Sequence, residues 1–356
     1  MTTLLQRPTN LFVPELKAAP VRIGVCGYGY WGPNLARNVA QCADAELAGI
    51  ADLSARRLAA ARLAHPGVVL TTDLGDLLDD PLVDAIVVAT PPETHHVLVK
   101  EALERGKHVL VEKPLATTVE DAEDLVRTAR RCGRQLVVDH TFLFTGAVKR
   151  MREYFDAGEV GDVYYYDSTR INLGLFQHET NVIWDLAPHD ISIMSYLIDQ
   201  PVKSVSAIGA RHVDTRVENI AYLTLQFEGP LLAHFHVNWL APAKVRRTII
   251  GGSHKMLVYD DGEATEKLKV YDSGARLCAS KEDIYRTLVE YRTGDVVAPK
   301  LDRAEALAVE TSHFVRVVRG QEEPISGGML GVEVVRIIEA AQESLRRGGV
   351  PVEVAK

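Results

Sequence analysis

The stretch Gly24–Asn34, GVCGYGYWGPN, carries three glycines in the pattern G-x-G-x-x-G: Gly27, Gly29 and Gly32. Its context decides its meaning. It follows the apolar run Val21–Cys26 (VRIGVC) and leads into WGPNLARNVAQC, whose apolar residues recur at helical spacing. Strand, glycine turn and helix in succession form the setting in which this pattern holds a dinucleotide. Gly27 permits the tight turn, Gly29 lets a pyrophosphate approach the backbone, and Gly32 lets the helix pack closely on the strand. The first N–H groups of the helix, with the positive end of its dipole, then face the phosphates. Asp52 lies 20 residues after Gly32, at the end of the next apolar run, where a carboxylate accepts hydrogen bonds from ribose hydroxyls. A carboxylate there repels a 2′-phosphate, which predicts NAD as cofactor; Arg56 and Arg57 pull toward NADP.

Outward from this stretch, short β-branched runs alternate with amphipathic segments. AELAGIAD, VDAIVVAT, KHVLVE and RQLVVD read as buried strands. Between them, LSARRLAAARLA follows a Ser54 cap, THHVLVKEALERG runs from Thr94 to Gly106, and Thr117 with Glu120 forms a capping box for a helix ending at Gly133. This alternation predicts a Rossmann-type doubly wound parallel sheet over residues 21–142. After Phe144 a helical segment (AVKRMREYFDAG) leads into strand-like pieces alternating in period two: VYYYDSTRIN, VKSVSAIGA, ENIAYLTLQF, LLAHFHVNW, VRRTIIGG, KMLVYD and EKLKVYD. These predict an open, mostly antiparallel sheet with helices on one face, over 143–356. NVIWDLAPHDISIMSYLI interrupts them as a helix, with Pro188 expected near its start. AEALAVETSHFVRVVRG and GVEVVRIIEAAQESLRRGG read as closing helices. Residues 1–20 read as an extended arm.

Composition narrows the function. A formal charge of −8 argues against a nucleic-acid partner. No apolar run is long enough to cross a bilayer, and the opening lacks signal-peptide character. Four scattered cysteines, with no C-x-x-C, suit a reducing cytoplasm and no structural zinc.

ATPPETHH (Ala89–His96), VEKPLATT (Val111–Thr118) and WDLAPHD (Trp184–Asp190) resemble the glucose–fructose oxidoreductase/inositol dehydrogenase (Gfo/Idh/MocA) family, over nearly the whole chain from Val21. The resemblance implies that Lys113 reaches the reacting carbon and the nicotinamide ribose, that Pro114 follows a cis peptide bond, and that Asp185 and His189 complete the catalytic group. It also implies that Tyr30, Trp31, Thr90, Pro91, His95 and Glu112 line the NAD site. The residues themselves support such chemistry. Hydride removal from a secondary alcohol needs a base for the hydroxyl proton, and imidazole serves near neutrality. Asp185 and His189, four apart on one helix face, suit a carboxylate that orients an imidazole. An ammonium at the end of a parallel strand stabilises charge developing on the substrate oxygen.

GYGYWGPNLARN, TRINLGLFQ (Thr169–Gln177) and NVIWDLAPHD give a finer resemblance, to nucleotide-sugar 3-dehydrogenases and 3-ketoreductases such as those acting on UDP-N-acetylglucosaminuronate. It implies a nucleotide-sugar substrate met by Arg170, Asn172, Gln177, Asn181 and His189, and a homodimer or homotetramer. Arg170 and Asn172 share a strand face, so they either grip an anionic sugar or form a solvent-facing pair. Tyr164–Tyr166 read as core and interface. His234 and His236 share a strand face but lack a third ligand, so no metal is expected. Lys244, Arg246 and Arg247 either reach a phosphate or end a solvated strand. Three other functions fit the same fold: an inositol or free-sugar dehydrogenase, an epimerase or glycosidase using NAD transiently, and a silent NAD(H) sensor. Retention of Lys113, Asp185 and His189 speaks against the sensor.

Overall fold

The computed structural model describes residues 19–174, 180–213, 216–272, 274–277, 289–292 and 294–354. The predicted arm up to residue 18 and Gln177 therefore lie outside the described residues.

The first half builds strands β1 (Val21–Cys26), β2 (Ala45–Ala51), β3 (Val69–Thr71), β4 (Ala85–Val88), β5 (His108–Glu112) and β6 (Leu136–Asp139) into one sheet. Their order is β3-β2-β1-β4-β5-β6, all parallel. β4 is buried at every position, which explains why VDAIVVAT shows no alternation. The order reverses between β1 and β4, and ligands of open parallel sheets bind at the carboxyl ends beside such a switch. Helices α1 (Gly32–Gln41), α2 (Ala55–Ala64), α3 (Gly75–Leu78), α4 (His95–Glu104) and α5 (Val119–Cys132) connect these strands. Ser54 caps α2 as expected, its side chain accepting from the Arg57 N–H. α5 departs by one residue: Thr118, not Thr117, is its cap and accepts from the Asp121 N–H at 3.2 Å. β3 was not anticipated, because three edge residues, Val69 exposed and the other two half-buried, carry no periodicity.

α6 (Gly146–Asp156) leads to β7 (Val163–Leu173), and α7 (Val182–Leu197) separates it from β8 (Val202–Ala210). Then follow β9 (Ile220–Phe227), β10 (Leu232–Asn238), β11 (Leu240–Gly252), β12 (Met256–Asp260), β13 (Leu268–Tyr271), the hairpin β14 (Gly274–Leu277) and β15 (Val289–Arg292), and β16 (Val296–Val297). α8 (Ala306–Val318), α9 (Gly328–Arg346) and β17 (Val352–Glu353) end the chain. The large second sheet has the order β16-β13-β12-β11-β7-β10-β9-β8-β17. It is mostly antiparallel as expected, with β7 and β10 paired in parallel. Pro188 lies in the interior of α7 and not at its start, because Asn181 takes the cap. Having no N–H, it leaves the Trp184 carbonyl without its helical donor.

The two closing helices return to the first sheet. Phe314 of α8 is fully buried in the apolar layer that α1 also covers. α9 shares its sides: Val332 and Val335 join the layer beneath α5, while Ile337 and Ile338 enter the core under the second sheet. A Phe buried in this way contributes about 1.5–3 kcal/mol. The helices thus hold both sheets around the cleft between them. No helix among the described residues is long and apolar enough to cross a membrane.

Candidate active site

The glycine loop has the shape a pyrophosphate needs. Gly27 sits at φ +94°, and a Cβ there would stand 2.5 Å from the Ala89 carbonyl oxygen. A Cβ on Gly32 would stand 2.1 Å from the Gly27 oxygen, which no side chain tolerates. At Gly29, by contrast, nothing but the Arg57 guanidinium comes within 4 Å, leaving open space on the cleft side. α1 begins without a side-chain cap and without an acid in its first turn, so its positive end is left for an anion. Asp52 closes the loop from below, its carboxylate accepting the N–H of Tyr28 at 2.7 Å and of Ser54 at 2.7 Å. Arg57, half-exposed, lies 3.5 Å from the same carboxylate. Tyr30 and Trp31 project from the loop as an exposed edge-to-face pair.

Across the switch, the loops after β4 and β5 are tied together by one buried histidine. The His95 ring nitrogens face the carbonyl oxygens of Pro114 (2.8 Å) and Thr90 (2.9 Å). Burial pushes its pKa down, so the ring is neutral and its single proton serves one carbonyl at a time. The Lys113–Pro114 peptide is cis, as the resemblance implied. His96 turns away, into an ion cluster with Asp124 and Lys100.

Lys113 leaves β5 toward α7. Its Nζ donates to the Asp185 main-chain oxygen at 2.8 Å and lies 3.5 Å from Asp185 Oδ1. The other carboxylate oxygen accepts from Trp239 Nε1 at 2.9 Å. Asp185 is therefore shared between Lys113 and a fully buried Trp239, and the expected support of His189 by Asp185 is corrected. His189 instead packs edge-on against Phe142, with centroids 5.1 Å apart, and its buried Nδ1 has no protein partner. Burial first, then the positive charges of Lys113 and Arg170, hold its pKa well below the ordinary histidine range. A neutral imidazole keeps a lone pair free to accept a proton.

Two further expectations change. Arg170 faces inward from β7 and is almost wholly buried; Nε and Nη2 donate to Asp190 at 2.9 and 2.7 Å, with the Phe142 ring 4.3 Å from the guanidinium carbon. A cation this enclosed must have a fixed counter-ion, so Arg170 is a structural member and not an open anion grip. Asn181 spends its amide on the fold. Its Oδ1 accepts from the Ile183 and Trp184 N–H groups that begin α7, and its Nδ2 donates to Glu218 and Gln342. Asn172 shares the Arg170 face, half-buried. Glu112, expected at the cofactor, has its carboxyl turned to Asp139. Sequence reasoning passed over Phe142, Asp190 and Trp239. An inward-facing arginine on an alternating strand demands a buried acid, and that demand was the signal available for Asp190.

From Lys113 and Asp185 a cavity of ≈ 1020 Å³ extends along α9, with Arg211, Arg216, Arg336 and Arg346 on its walls. Arg211 is engaged by Glu218 and Arg336 by Glu123, whereas Arg216 makes no ion pair among the described residues. No group of three metal-ligating side chains occurs among them either.

Residues 21–140 match the family model described as the oxidoreductase family with an NAD-binding Rossmann fold, and residues 148–258 match the GFO/IDH/MocA C-terminal domain. Among curated relatives, scyllo-inositol 2-dehydrogenase (NAD(+)) of Bacillus subtilis (strain 168) is 23% identical, covering 96% of each chain. Among solved structures, the WlbA dehydrogenase from Bordetella pertussis, in complex with NADH and UDP-GlcNAcA, superposes with a TM-score of 0.80 at 20% identity, covering 96% of this chain and 100% of that one. UDP-N-acetylglucosamine 3-dehydrogenase GnnA from Acidithiobacillus ferrooxidans gives 0.79 at 23% identity, covering 92% and 98%.

Proposed function

The chain belongs to the Gfo/Idh/MocA oxidoreductases and binds NAD, and from that premise we propose that it oxidises or reduces carbon 3 of a nucleotide-linked sugar. The observation that carries this reading is the cavity that starts at Lys113 and Asp185 and runs past an unpaired Arg216. Its ≈ 1020 Å³ is at the upper end of ordinary small-molecule sites, about 300–1,000 Å³, and exceeds what a single sugar ring fills. With Arg170 neutralised by Asp190, Arg216 is the cation that meets the diphosphate. The two sugar-nucleotide dehydrogenases that share the fold agree with this reading.

The bound cofactor supplies hydride acceptance and return. The chain supplies the rest. His189, neutral, takes the hydroxyl proton as the C–H bond gives up its hydride and the C=O bond forms; in reverse it returns that proton. Lys113 offsets the negative charge growing on the oxygen. Asp185, pinned by Trp239, sets where the Lys113 ammonium points. The exposed face of the second sheet, carrying Ile208, Tyr222 and Leu232, covers a second copy of the chain in a homodimer or homotetramer.

A second reading has one observation in its favour. Glu93, Glu218, Glu339 and Glu343 also line the cavity, and carboxylates hydrogen-bond the hydroxyls of a neutral inositol. A panel of UDP- and dTDP-sugars beside free sugars and inositols, followed through the nicotinamide absorbance, separates the two. Turnover of a sugar nucleotide, with KM raised about tenfold or more by Arg216→Ala, is expected. Turnover of a free polyol and of no sugar nucleotide contradicts the proposal.

A further inference from the structure

Behind Lys113 three acidic side chains are buried together. Glu112 and Asp139 end the adjacent parallel strands β5 and β6 as direct register partners. Glu310 arrives from the other side, on α8. Relative exposures are 8% for Glu112, 3% for Asp139 and 0% for Glu310. Glu112 and Glu310 both come within hydrogen-bonding reach of the Asp139 carboxyl. Thr141 has one hydroxyl proton to give, and it lies on Asp139. The Thr141 hydroxyl also comes within reach of Glu310, but with its one proton on Asp139 neither Glu310 oxygen has a donor of its own, and none of the three acids has an ion pair among the described residues.

The surroundings supply no charge to balance three carboxylates. From β5 the neighbouring group is Lys113 itself, already engaged with Asp185. From the segment after β6 it is His140, fully buried, with both ring nitrogens unpartnered; burial and then Lys113 push its pKa down to about 3, so it is neutral. From α7 it is His189, also neutral. On α8, His313 is turned to Glu322 at 2.7 Å and accepts the Ile325 N–H. Three adjacent carboxyls in such a place do not all ionise, because burial and mutual repulsion both favour the neutral form. Burial first, then Asp139, raises Glu112 and Glu310 well above the carboxylate range.

We propose that Glu310 is a positioning residue for Lys113: Glu310 and Glu112 each donate a proton to the Asp139 carboxylate, so that the three acids hold two protons and one negative charge behind the catalytic ammonium. α8, distant in sequence from the glycine loop, thereby sets the charge and the strand ends from which Lys113 projects. The role presupposes Lys113 as the catalytic lysine, whereas the proton count stands independently of any substrate.

Infrared spectroscopy of the full chain at neutral pH reads that count directly. The wild type should show the C=O stretch of buried, protonated carboxylic acids, and Glu310→Gln should lose part of that band while keeping NADH affinity within about two-fold. In turnover, Glu310→Gln preserves the donor to Asp139 and should keep kcat near wild type, with its alkaline limb moved to higher pH because the donor at position 310 no longer ionises. Glu310→Ala removes the donor and should lower kcat about tenfold at unchanged KM. Absence of a protonated-acid band in the wild type, or a band unaltered in Glu310→Gln, overturns the proposal whatever the substrate. So does a folded Glu310→Ala with the wild-type kcat and pH profile.

Discussion

Replacing Asp190 by Ala removes the partner of Arg170 and leaves a guanidinium enclosed at 3% side-chain exposure, over the Phe142 ring. Two hydrogen bonds, 2.9 and 2.7 Å, are lost at once, and the guanidinium is almost wholly shielded from solvent. Breaking a buried pair from one side costs about 3–5 kcal/mol, a fall in Tm on the order of 10 °C at roughly 2–4 °C per kcal/mol. Arg170→Ala should cost a comparable amount, through the stranded Asp190 carboxylate and the lost stacking on Phe142. The double replacement Arg170→Met with Asp190→Leu should recover most of the loss, since apolar side chains of similar volume need no counter-charge. Urea unfolding of the four proteins measures these differences. An Asp190→Ala protein within about 1 kcal/mol of wild type would refute the reasoning. So would an Arg170→Ala protein of full stability whose KM rises only for anionic substrates, because Arg170 would then be the open ligand the sequence suggested.

Four other outcomes are expected. Gly32→Ala, whose Cβ would stand 2.1 Å from a backbone oxygen, should weaken NADH binding by about tenfold or more in a fluorescence titration. Asp52→Ala should narrow the preference for NADH over NADPH, and wild-type protein binding NADPH more tightly would show that Arg57 dominates the site. His189→Ala and Lys113→Ala should abolish turnover with NADH affinity little changed, and His189, its pKa depressed, should remain a working base at pH below the usual imidazole range. His140 titrates at about 3 folded and near 6.5 unfolded, so the unfolded chain binds the extra proton and stability falls as pH drops through that window. Between pH 7.5 and 5 the loss assigned to His140 is about 2 kcal/mol, and His140→Gln should remove it from the urea-measured difference.

Much of the fold was legible because its strands and caps are local signals. The centres of VRIGVC and KHVLVE, Ile23 to Cys26 and Val109 to Val111, carry no polar side chain because both faces of the sheet are covered there, and Gly27 and Gly32 are required by backbone approach that the sequence pattern encodes. Thr118 displaced Thr117 because two adjacent threonines offer equivalent caps, and only the chain path chooses between them. Lys113, Asp185 and His189 were singled out through the family resemblance of VEKPLATT and WDLAPHD, which says nothing of how the three side chains pair. Asp185 and His189 are one helical turn apart, yet the carboxylate faces Trp239, a residue 54 positions later whose indole N–H needs an acceptor once buried. Asp139 and Glu310 were invisible for the same reason. A proton shared between strands and a distant helix leaves no periodic trace, and only burial in three dimensions makes it necessary.

The most direct test of the central claim is the fate of a label. A UDP-linked sugar carrying deuterium on carbon 3, incubated with NAD and the purified chain, should yield NADH one mass unit heavier and a 3-keto sugar nucleotide, and Lys113→Ala should yield neither. Unlabelled NADH formed from that substrate, or deuterium transfer only from a labelled inositol, would contradict hydride transfer at carbon 3 of a nucleotide sugar.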